Sequence, residues 1–358
     1  MSTRDLGGIV DAHVHLWDPL TTPREASLGA RIYRRTPSLL FEAGVFPIAV
    51  PKRNRVFIRT PRYVGRRFDL ADYAAASRDV RQDGRGSEIS FTVESFVHIE
   101  ASWKATGLGA VDETQWVESL CQDSSPTLLG LVAHVDPRWP TAAAVIDAHV
   151  AASPRLVGIR CSAAYHTHRS VKDWTDLPHL YTSATFLEGF AEIAARALTF
   201  DAWVYGHQLD DVASLARSYP DTTIVLNHHG TPVGLVGQSG GVPRLRDQTA
   251  RWYDGIAELA DLPNVVVKHS GIAMPILGGR FDDPTRFIET MGPYISHVTK
   301  LFGADRIMFG SNAPIDFAGA DYPTLVHAVA AGVLDALGEE ALQPTFCLNA
   351  QRIYHTSP

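Results

Sequence analysis

The sequence predicts a parallel (β/α)8 barrel, a TIM barrel, with a long insertion after its first strand. Eight short runs rich in β-branched residues alternate with alanine-rich, helix-like stretches, which is the pattern of a parallel α/β fold. The chain of 358 residues is long enough for eight such units and additional loops. Histidine, acidic and amide residues collect where these runs end, and barrel enzymes build their active sites at that end of the strands.

Several of the predicted strands are near-continuous apolar runs, as expected of strands that are buried on both faces. In chain order the eight strands span 9–16, 92–100, 128–135, 156–162, 199–205, 222–229, 264–271 and 306–312. The helix-like segments between them include 111–122, 140–152, 183–197 and 208–218. The main alternative is an open, doubly wound sheet, but no glycine-rich phosphate-binding motif follows the first strand.

Residues 17–91 form a connection that is too long for a single crossover helix. We interpret this stretch as an insertion that forms a lid, and residues 1–358 as one domain. Its middle, VPKRNRVFIRTPRYVGRR at 50–67, carries seven basic residues and no acidic one. A solvated basic loop is the simpler explanation for most of them. The candidates for attracting an anion are Arg59, Arg62, Arg66 and Arg67.

Composition and charge argue against several classes of protein. Charged residues make up 20% of the chain and hydrophobic residues 45%, which is ordinary for a soluble globular protein. The net charge of −7 gives no reason to expect nucleic-acid binding, and no apolar run has membrane-spanning length. The cysteines match no metal or redox spacing and the N-terminus lacks a secretory pattern, so we expect a cytoplasmic protein. Its expected partner is a small molecule, a homo-oligomer is left open, and the preference for arginine over lysine suggests a bacterial source.

Two histidines, His13 and His15, end the first predicted strand in the motif DAHVHLWDP. Alternate residues of a strand point to the same face, so the two imidazoles are placed to bind one divalent ion such as Zn²⁺. Glu100, His207 or His228 would complete a site with an open position for water, whose pKa the metal lowers. A hydrogen-bonded pair of core histidines is the structural alternative.

Other strand ends supply hydrogen-bonding and acid–base groups. Arg160, Tyr205 and His269 are candidate substrate ligands, and the planar guanidinium of Arg160 suits a carboxylate. A salt bridge inside the barrel is the structural alternative for Arg160. Asn312 and Asp316 lie in GSNAPID, after the last predicted strand.

In combination and in order, these motifs resemble the amidohydrolase-related family, whose members are TIM-barrel hydrolases that are often metal-dependent. The segments that carry the resemblance are DAHVHLWDP, VHIEASW, GIR, FDAWVYGHQLDDVASLARSYPDTTIVLNHHGTPVG, NVVVKHSGI and RIMFGSNAPID. The similarity runs from about residue 9 to the final NAQRIY and omits much of 17–91. Relatives include lactonases, and a neighbouring branch holds decarboxylases of aromatic or muconate-type acids. The resemblance therefore implies a small, often anionic substrate that contains a carbonyl group.

The resemblance also implies roles for individual residues. His13 and His15 match the family's metal pair of the first strand. Glu100 matches an acidic position of the second strand, and His207 falls where a ligand of the fifth strand is expected. His228 matches the histidine of the sixth strand, which polarises the substrate carbonyl or binds metal.

One position departs from the family pattern. The last-strand motif of the family resembles GSDWP, whose aspartate is the general base or a metal partner, but this chain has Asn312 there. A side-chain amide does not accept a proton at neutral pH. Asp316 or Glu100 then takes the role of the base, unless the mechanism itself differs.

The sequence thus predicts a metal-dependent hydrolase that opens a lactone or cleaves a related ester or amide bond of a small, carboxylated substrate. Zinc is the expected ion, manganese is the second choice, and a metal-free enzyme stays open. His228 would stabilise the developing oxyanion, while Asp316 or Glu100 moves the proton. The alternative is a metal-dependent decarboxylase of an aromatic or muconate-type acid on the same scaffold. A third hypothesis is a barrel that binds a ligand and catalyses no reaction, because the usual aspartate is missing.

Overall fold

Eight parallel strands form a nearly closed barrel, so the predicted fold class is confirmed. The computed structural model describes residues 4–24, 27–78, 81–82, 88–238, 241–243, 246–279, 281 and 283–354. The barrel strands are β1 Arg4–Val14, β2 Glu88–Ile99, β3 Thr127–His134, β4 Leu156–Ser162, β5 Thr199–Trp203, β6 Ile224–Leu226, β7 Val265–His269 and β8 Ile307–Phe309. A two-residue strand at Arg81–Gln82 pairs antiparallel with β2.

Each barrel strand pairs in parallel with the next strand along the chain, and Arg160 of β4 lies opposite Asp201 of β5. The barrel closes where the end of β1 meets the segment that follows β8. There Val14 forms a bridge to Ala313, whose carbonyl oxygen accepts a hydrogen bond from the amide of residue 15 at 2.9 Å. The backbone amide of Asn312 in turn donates to the carbonyl of His13 in β1 at 2.8 Å. This junction brings the end of the last strand directly beside the first.

The helices of the described residues fall into two groups. Between β1 and β2 lie six short ones, which are α1 Ser27–Arg35, α2 Ser38–Leu40, α3 Phe46–Ala49, α4 Lys52–Ile58, α5 Pro61–Val64 and α6 Leu70–Ala76. The barrel helices and the C-terminal helix are α7 Val111–Leu120, α8 Ala142–Ala152, α9 Ala184–Ala194, α10 Leu209–Ser218, α11 Arg246–Ala260, α12 Pro284–Phe302, α13 Tyr322–Leu337 and α14 Asn349–Ile353. None of the helices described here is both long and apolar enough to cross a membrane.

Local sequence signals explain where the longer helices begin and end. At α12 the side chain of Asp283 accepts hydrogen bonds from the amides of the first turn, and proline occupies the first helical position. Asp321 caps α13 in the same way, again before a proline near the start. Gly303, at a φ of 72°, and Gly338, at a φ of 87°, end the two helices in conformations that glycine adopts readily.

The interior of the barrel holds a buried ion pair as well as apolar side chains. Lys268 of β7 donates to Asp201 of β5 at 2.7 Å, and both side chains are fully buried. Tyr354, immediately after α14, donates its hydroxyl to the same carboxylate at 2.7 Å. Burial lowers the pKa of Lys268 to about 8, and the contact with Asp201 opposes that shift. Because a buried carboxylate needs several partners, these contacts fix the C-terminal segment against the barrel.

Candidate active site

A cavity of about 310 Å³ opens at the C-terminal ends of the barrel strands. Its lining includes His15, Glu100, Arg160, His228 and Asn312, which we call the polar floor. These residues follow or end strands β1, β2, β4, β6 and β8, so the topology alone gathers them at one end of the barrel. The prediction that polar strand ends meet is therefore right for these five residues.

Three imidazoles meet at this floor. The Nε2 atoms of His13 and His15 are 3.2 Å apart, and the rings of His13 and His228 have centroids 4.6 Å apart. The Nδ1–H of His15 donates to the carbonyl of Ile99 at 2.9 Å, which leaves Nε2 of His15 with its lone pair. Burial lowers the pKa of His15 to about 3 and holds the pKa values of His13 and His228 well below their ordinary value. All three rings are therefore neutral at physiological pH.

The backbone around His228 is strained in a way that aims its ring. The four residues 228–231 all have positive φ angles, with 57° at His228 itself. The Nδ1 atom of His228 and the Oγ atom of Ser270 form a hydrogen bond of 2.9 Å. A Cβ atom at Gly271 would lie 2.5 Å from the His228 ring, so only glycine allows this packing. The turn at 228–231, the hydroxyl of Ser270 and the absence of a side chain at Gly271 together fix the imidazole of His228.

Glu100 and Arg160 form a buried ion pair. The Nε atom of Arg160 donates to Oε1 of Glu100 at 2.7 Å, and Nη2 donates to the backbone carbonyl of Glu100 at 2.8 Å. The second carboxylate oxygen accepts the amide of Ser102 at 2.9 Å. Although burial raises the pKa of Glu100, the Arg160 guanidinium, His134 and the amide of Ser102 together outweigh this effect and lower the pKa to about 2. A carboxylate held in this way is a poor proton acceptor. The observed contact of Arg160 is a salt bridge inside the barrel, which was the alternative to binding a substrate carboxylate.

Asp316 lies behind the floor and does not line the cavity. It is fully buried, and its carboxylate accepts Asn312 Nδ2–H at 2.8 Å and the amide of Ala273 at 3.1 Å. Burial raises the pKa of Asp316 to about 7 against these hydrogen bonds. The residue that lines the cavity is Asn312, with a φ of 51°, and Asp316 fixes the orientation of its amide.

The described residues offer a metal ion fewer ligands than the sequence predicts. The Nε2 atoms of His13 and His15 have the spacing of two ligands of one ion, but the Nδ1 atom of His13 has no hydrogen-bond partner among the described residues. No group of three or more histidine, cysteine, aspartate or glutamate side chains within the described part of the chain is arranged to hold an ion. Catalytic zinc sites use three protein ligands, so this set does not fit one.

Three predicted site residues lie elsewhere. The ring of His207 packs against His166, with centroids 5.0 Å apart, and does not line the cavity. The structure therefore does not bring His207 to the pair at the end of β1. Tyr205 does not line the cavity, and its hydroxyl donates to the carbonyl of the lining residue Lys172 at 2.6 Å. The Nδ1 atom of His269 lies 2.8 Å from Nε2 of His229 in the strained turn, so His269 supports the floor from behind.

Sequence reasoning missed several residues of the site. Ser270 and Gly271, which pack against the ring of His228, follow β7 in the motif KHSG, and the serine–glycine pair after a strand was the available signal. The aromatic residues Phe57, Trp174 and Trp203 line the cavity. Nothing in their local sequence separates an aromatic side chain in a cavity from one in the core.

Comparison with known proteins places these features in a family. The family model described as amidohydrolase matches residues 10–356. An uncharacterized protein of Sinorhizobium fredii is 30% identical over 232 residues, which cover 65% of this chain and 71% of that protein. An L-fucono-1,5-lactonase of Burkholderia multivorans is 32% identical over 164 residues, or 44% of this chain and 52% of that enzyme. The chain thus matches about half the length of this lactonase.

Solved structures show the same fold at lower identity. An amidohydrolase from Burkholderia multivorans with bound zinc has a TM-score of 0.65 at 20% identity, and the alignment covers 97% of this chain and 98% of that one. A candidate 2-pyrone-4,6-dicarboxylic acid hydrolase from Pseudomonas putida has a TM-score of 0.58 at 17% identity, with 98% of each chain covered. Both confirm the barrel.

Proposed function

The chain belongs to the amidohydrolase family, and we propose that it uses water to open a lactone ring or to cleave a related ester or amide bond. The polar floor carries this proposal, because the neutral imidazole of His228 lies there in one cavity with the Arg160 guanidinium. Lactonases that are 32% identical over 40–44% of this chain support the choice of a lactone.

In the proposed reaction, a water molecule attacks the carbonyl carbon while Nε2 of His228 accepts one proton from that water. Burial disfavours the charged form and lowers the pKa of His228, so the ring is neutral and one of its nitrogens has a lone pair to which the proton can bind. When the ring C–O bond breaks, the protonated imidazole returns this proton to the departing alkoxide oxygen. The product is a hydroxy acid, whose carboxyl group ionises and releases one proton to the solvent.

This assignment moves the base from the carboxylates to a histidine. Both carboxylate oxygens of Glu100 already accept hydrogen bonds, one from Arg160 and one from the amide of Ser102, and Asp316 does not line the cavity. We propose that Arg160 stabilises the negative charge that develops on the carbonyl oxygen, since its charge is permanent and it lines the floor. Asp316 acts through Asn312, whose amide it orients.

The zinc or manganese ion expected from the sequence would have two ligands here, Nε2 of His13 and Nε2 of His15. The side chains of the floor therefore carry every step of the proposed reaction. The cationic residues that line the cavity, Arg24, Arg160 and Lys172, outnumber its one carboxylate, and this balance favours a substrate with anionic character.

We propose that the insertion between β1 and β2 serves as a lid. Phe41, Phe46 and Val50 line the same cavity as the polar floor, although they lie far from it in sequence. A lid excludes bulk water from the reacting carbonyl and strengthens the electrostatic interactions beneath it. Bound ligand should then slow amide hydrogen exchange in α3 and α4, and unchanged exchange would contradict a lid.

A panel assay tests the function directly. The purified protein is mixed with five- and six-membered lactones, aryl esters and anilides, and a pH indicator records proton release above the uncatalysed rate. We expect turnover of at least one lactone with one proton released per ring opened. Release of carbon dioxide from aromatic or unsaturated acids, with no lactone opened, would instead establish the decarboxylase.

A further inference from the structure

We propose that the substrate carries a large apolar substituent, alkyl or aryl, which binds between the insertion and the barrel. This inference rests on the proposed function, because it assumes that the reacting carbonyl sits at the polar floor. The inference assigns hydrophobic, alkyl- or aryl-substituted lactones or esters as the substrate class, and not polyhydroxylated sugar lactones.

The insertion turns an apolar surface toward the cavity. Its lining side chains include Tyr33, Phe41, Phe46, Val50 and Phe57. Among the described insertion residues of the lining, only two, an arginine and an asparagine, carry a charged or amide side chain. A polyhydroxylated ligand would lose its water here without gaining enough hydrogen-bond partners, at a cost for every hydroxyl.

Three basic residues of the segment 50–67 have partners outside the cavity lining. Arg62 forms an ion pair with Glu42 at 2.9 Å, and Arg67 forms one with Asp69 at 3.1 Å. Arg59 donates to the carbonyl of Gly279. None of the basic side chains of 50–67 belongs to the described lining. The segment whose arginines were candidates for attracting an anion therefore contributes apolar residues to the cavity.

An aromatic wall connects the reacting centre to this apolar region. The ring of Trp203 meets His228 edge-on with centroids 6.0 Å apart. Trp174 lies 5.0 Å from Trp203, and Phe57 of α4 lies 5.0 Å from Trp174 and 6.1 Å from Trp203. Because the wall is continuous, a substituent next to the carbonyl meets aromatic surface from the floor to the insertion.

The expected gain follows from apolar burial. One buried methylene group contributes enough to raise affinity by about fourfold. A chain of several carbons should therefore bind progressively more tightly until it fills the cavity. A cavity built for hydroxyl groups would show no such rise.

Non-hydrolysable lactams make the test independent of turnover. Isothermal titration calorimetry measures the affinity of δ-lactams whose 6-alkyl group grows from methyl to hexyl, with a 6-phenyl and a polyhydroxylated lactam as separate arms. We expect Kd to fall by about threefold to fourfold per methylene, and the better of the hexyl and phenyl arms identifies the substituent. A flat series, or tightest binding of the polyhydroxylated lactam, would overturn the inference.

Variants and hydrolysis complete the design. Val50→Asp places a charge in the half-buried apolar wall and should lower the hexyl-to-methyl affinity ratio at least tenfold. Phe46→Ala provides a second variant if the first does not fold, and should lower the ratio at least threefold. Leu39→Ala, at an exposed side chain outside the lining, is the matched control and should leave the ratio unchanged. An unaltered ratio in the folded variants would contradict the assignment. Rising lactam affinity with no lactone, ester or amide hydrolysed would reject the proposed function and keep the apolar site.

Discussion

The strained backbone at His228 positions the imidazole that we propose as the general base. Its φ of 57° is unusual for a residue with a side chain, and the Ser270 hydroxyl and the absent side chain of Gly271 hold the ring that results. Strain of this kind persists where the surrounding structure over-determines it. The sequence motif NHHGTP located this histidine, but its contact with the residues after β7 depends on the folded barrel.

Replacing His228 should remove the proposed base without disturbing the turn. Asparagine tolerates a positive φ, so His228→Asn should fold normally and lose about 100-fold to 10,000-fold in kcat/KM for the best lactone. His207→Asn, at a histidine outside the cavity, is the control and should stay within about twofold of the wild type. Equal losses in the two variants would contradict the assignment of the base.

Asp316 gives a stability prediction with a definite sign. Its folded-state pKa of about 7 lies above the ordinary value of 3.8, so the folded protein holds a proton that the unfolded chain releases between these values. The carboxyl group thus contributes most stability below pH 4, and this contribution is lost as pH rises to about 7. Urea unfolding of the wild type and of Asp316→Asn should show a difference in the free energy of unfolding that falls by up to about 1.4 kcal/mol per pH unit over this range. Parallel curves would mean that Asp316 titrates at its ordinary pKa.

At the level of elements, seven of the eight barrel strands end earlier than the sequence predicts, and β4 ends at the predicted residue 162. The sixth strand was expected over 222–229, but β6 covers Ile224–Leu226 because the following histidines leave the ladder with positive φ angles. A polar run after apolar residues gives the place of a strand end, and it does not give the direction of each side chain. The same holds for the insertion between β1 and β2. Its helices are short, and which of their side chains face the cavity depends on their packing against the barrel.

The C-terminal helix offers a stability test at this scale. Tyr354 donates its hydroxyl to the buried Asp201, so Tyr354→Phe removes one partner of a fully buried carboxylate. We expect the free energy of unfolding in urea to fall by about 1–3 kcal/mol. Tyr253→Phe, at a partly exposed tyrosine of α11, is the matched control with no expected change. Equal stability of both variants would show that α14 does not fix the barrel through this contact.

At the level of the whole molecule, the fold and the mouth of the barrel were predictable, and the pairing of side chains was not. Eight apolar runs and the polar residues at their ends identified the architecture and brought His13, His15 and His228 together. The ion pair of Glu100 with Arg160 joins residues 60 positions apart, and no local pattern shows that these two charges satisfy each other. This contact changed two predicted roles, because the carboxylate cannot serve as the base and most of the guanidinium is occupied.

A measurement of metal content distinguishes a His13–His15 pair that holds a catalytic ion from a pair that does not. With two ligands among the described residues, the pair should bind an ion weakly, so dialysis of the whole protein against a chelator should leave lactone hydrolysis within about twofold. Elemental analysis before and after dialysis measures the ion, and a parallel rate assay measures its effect. Activity that disappears with the ion and returns with one equivalent of zinc would establish the predicted metal centre.

The central claim is that water attacks a carbonyl carbon at the polar floor. The most direct measurement runs the wild-type reaction in ¹⁸O-labelled water on the best lactone of the panel, with mass spectrometry of the product after one turnover. The account predicts one ¹⁸O atom in the carboxylate of the hydroxy acid and none in its hydroxyl group. Label in the hydroxyl group, or carbon dioxide in place of a ring-opened acid, would contradict it.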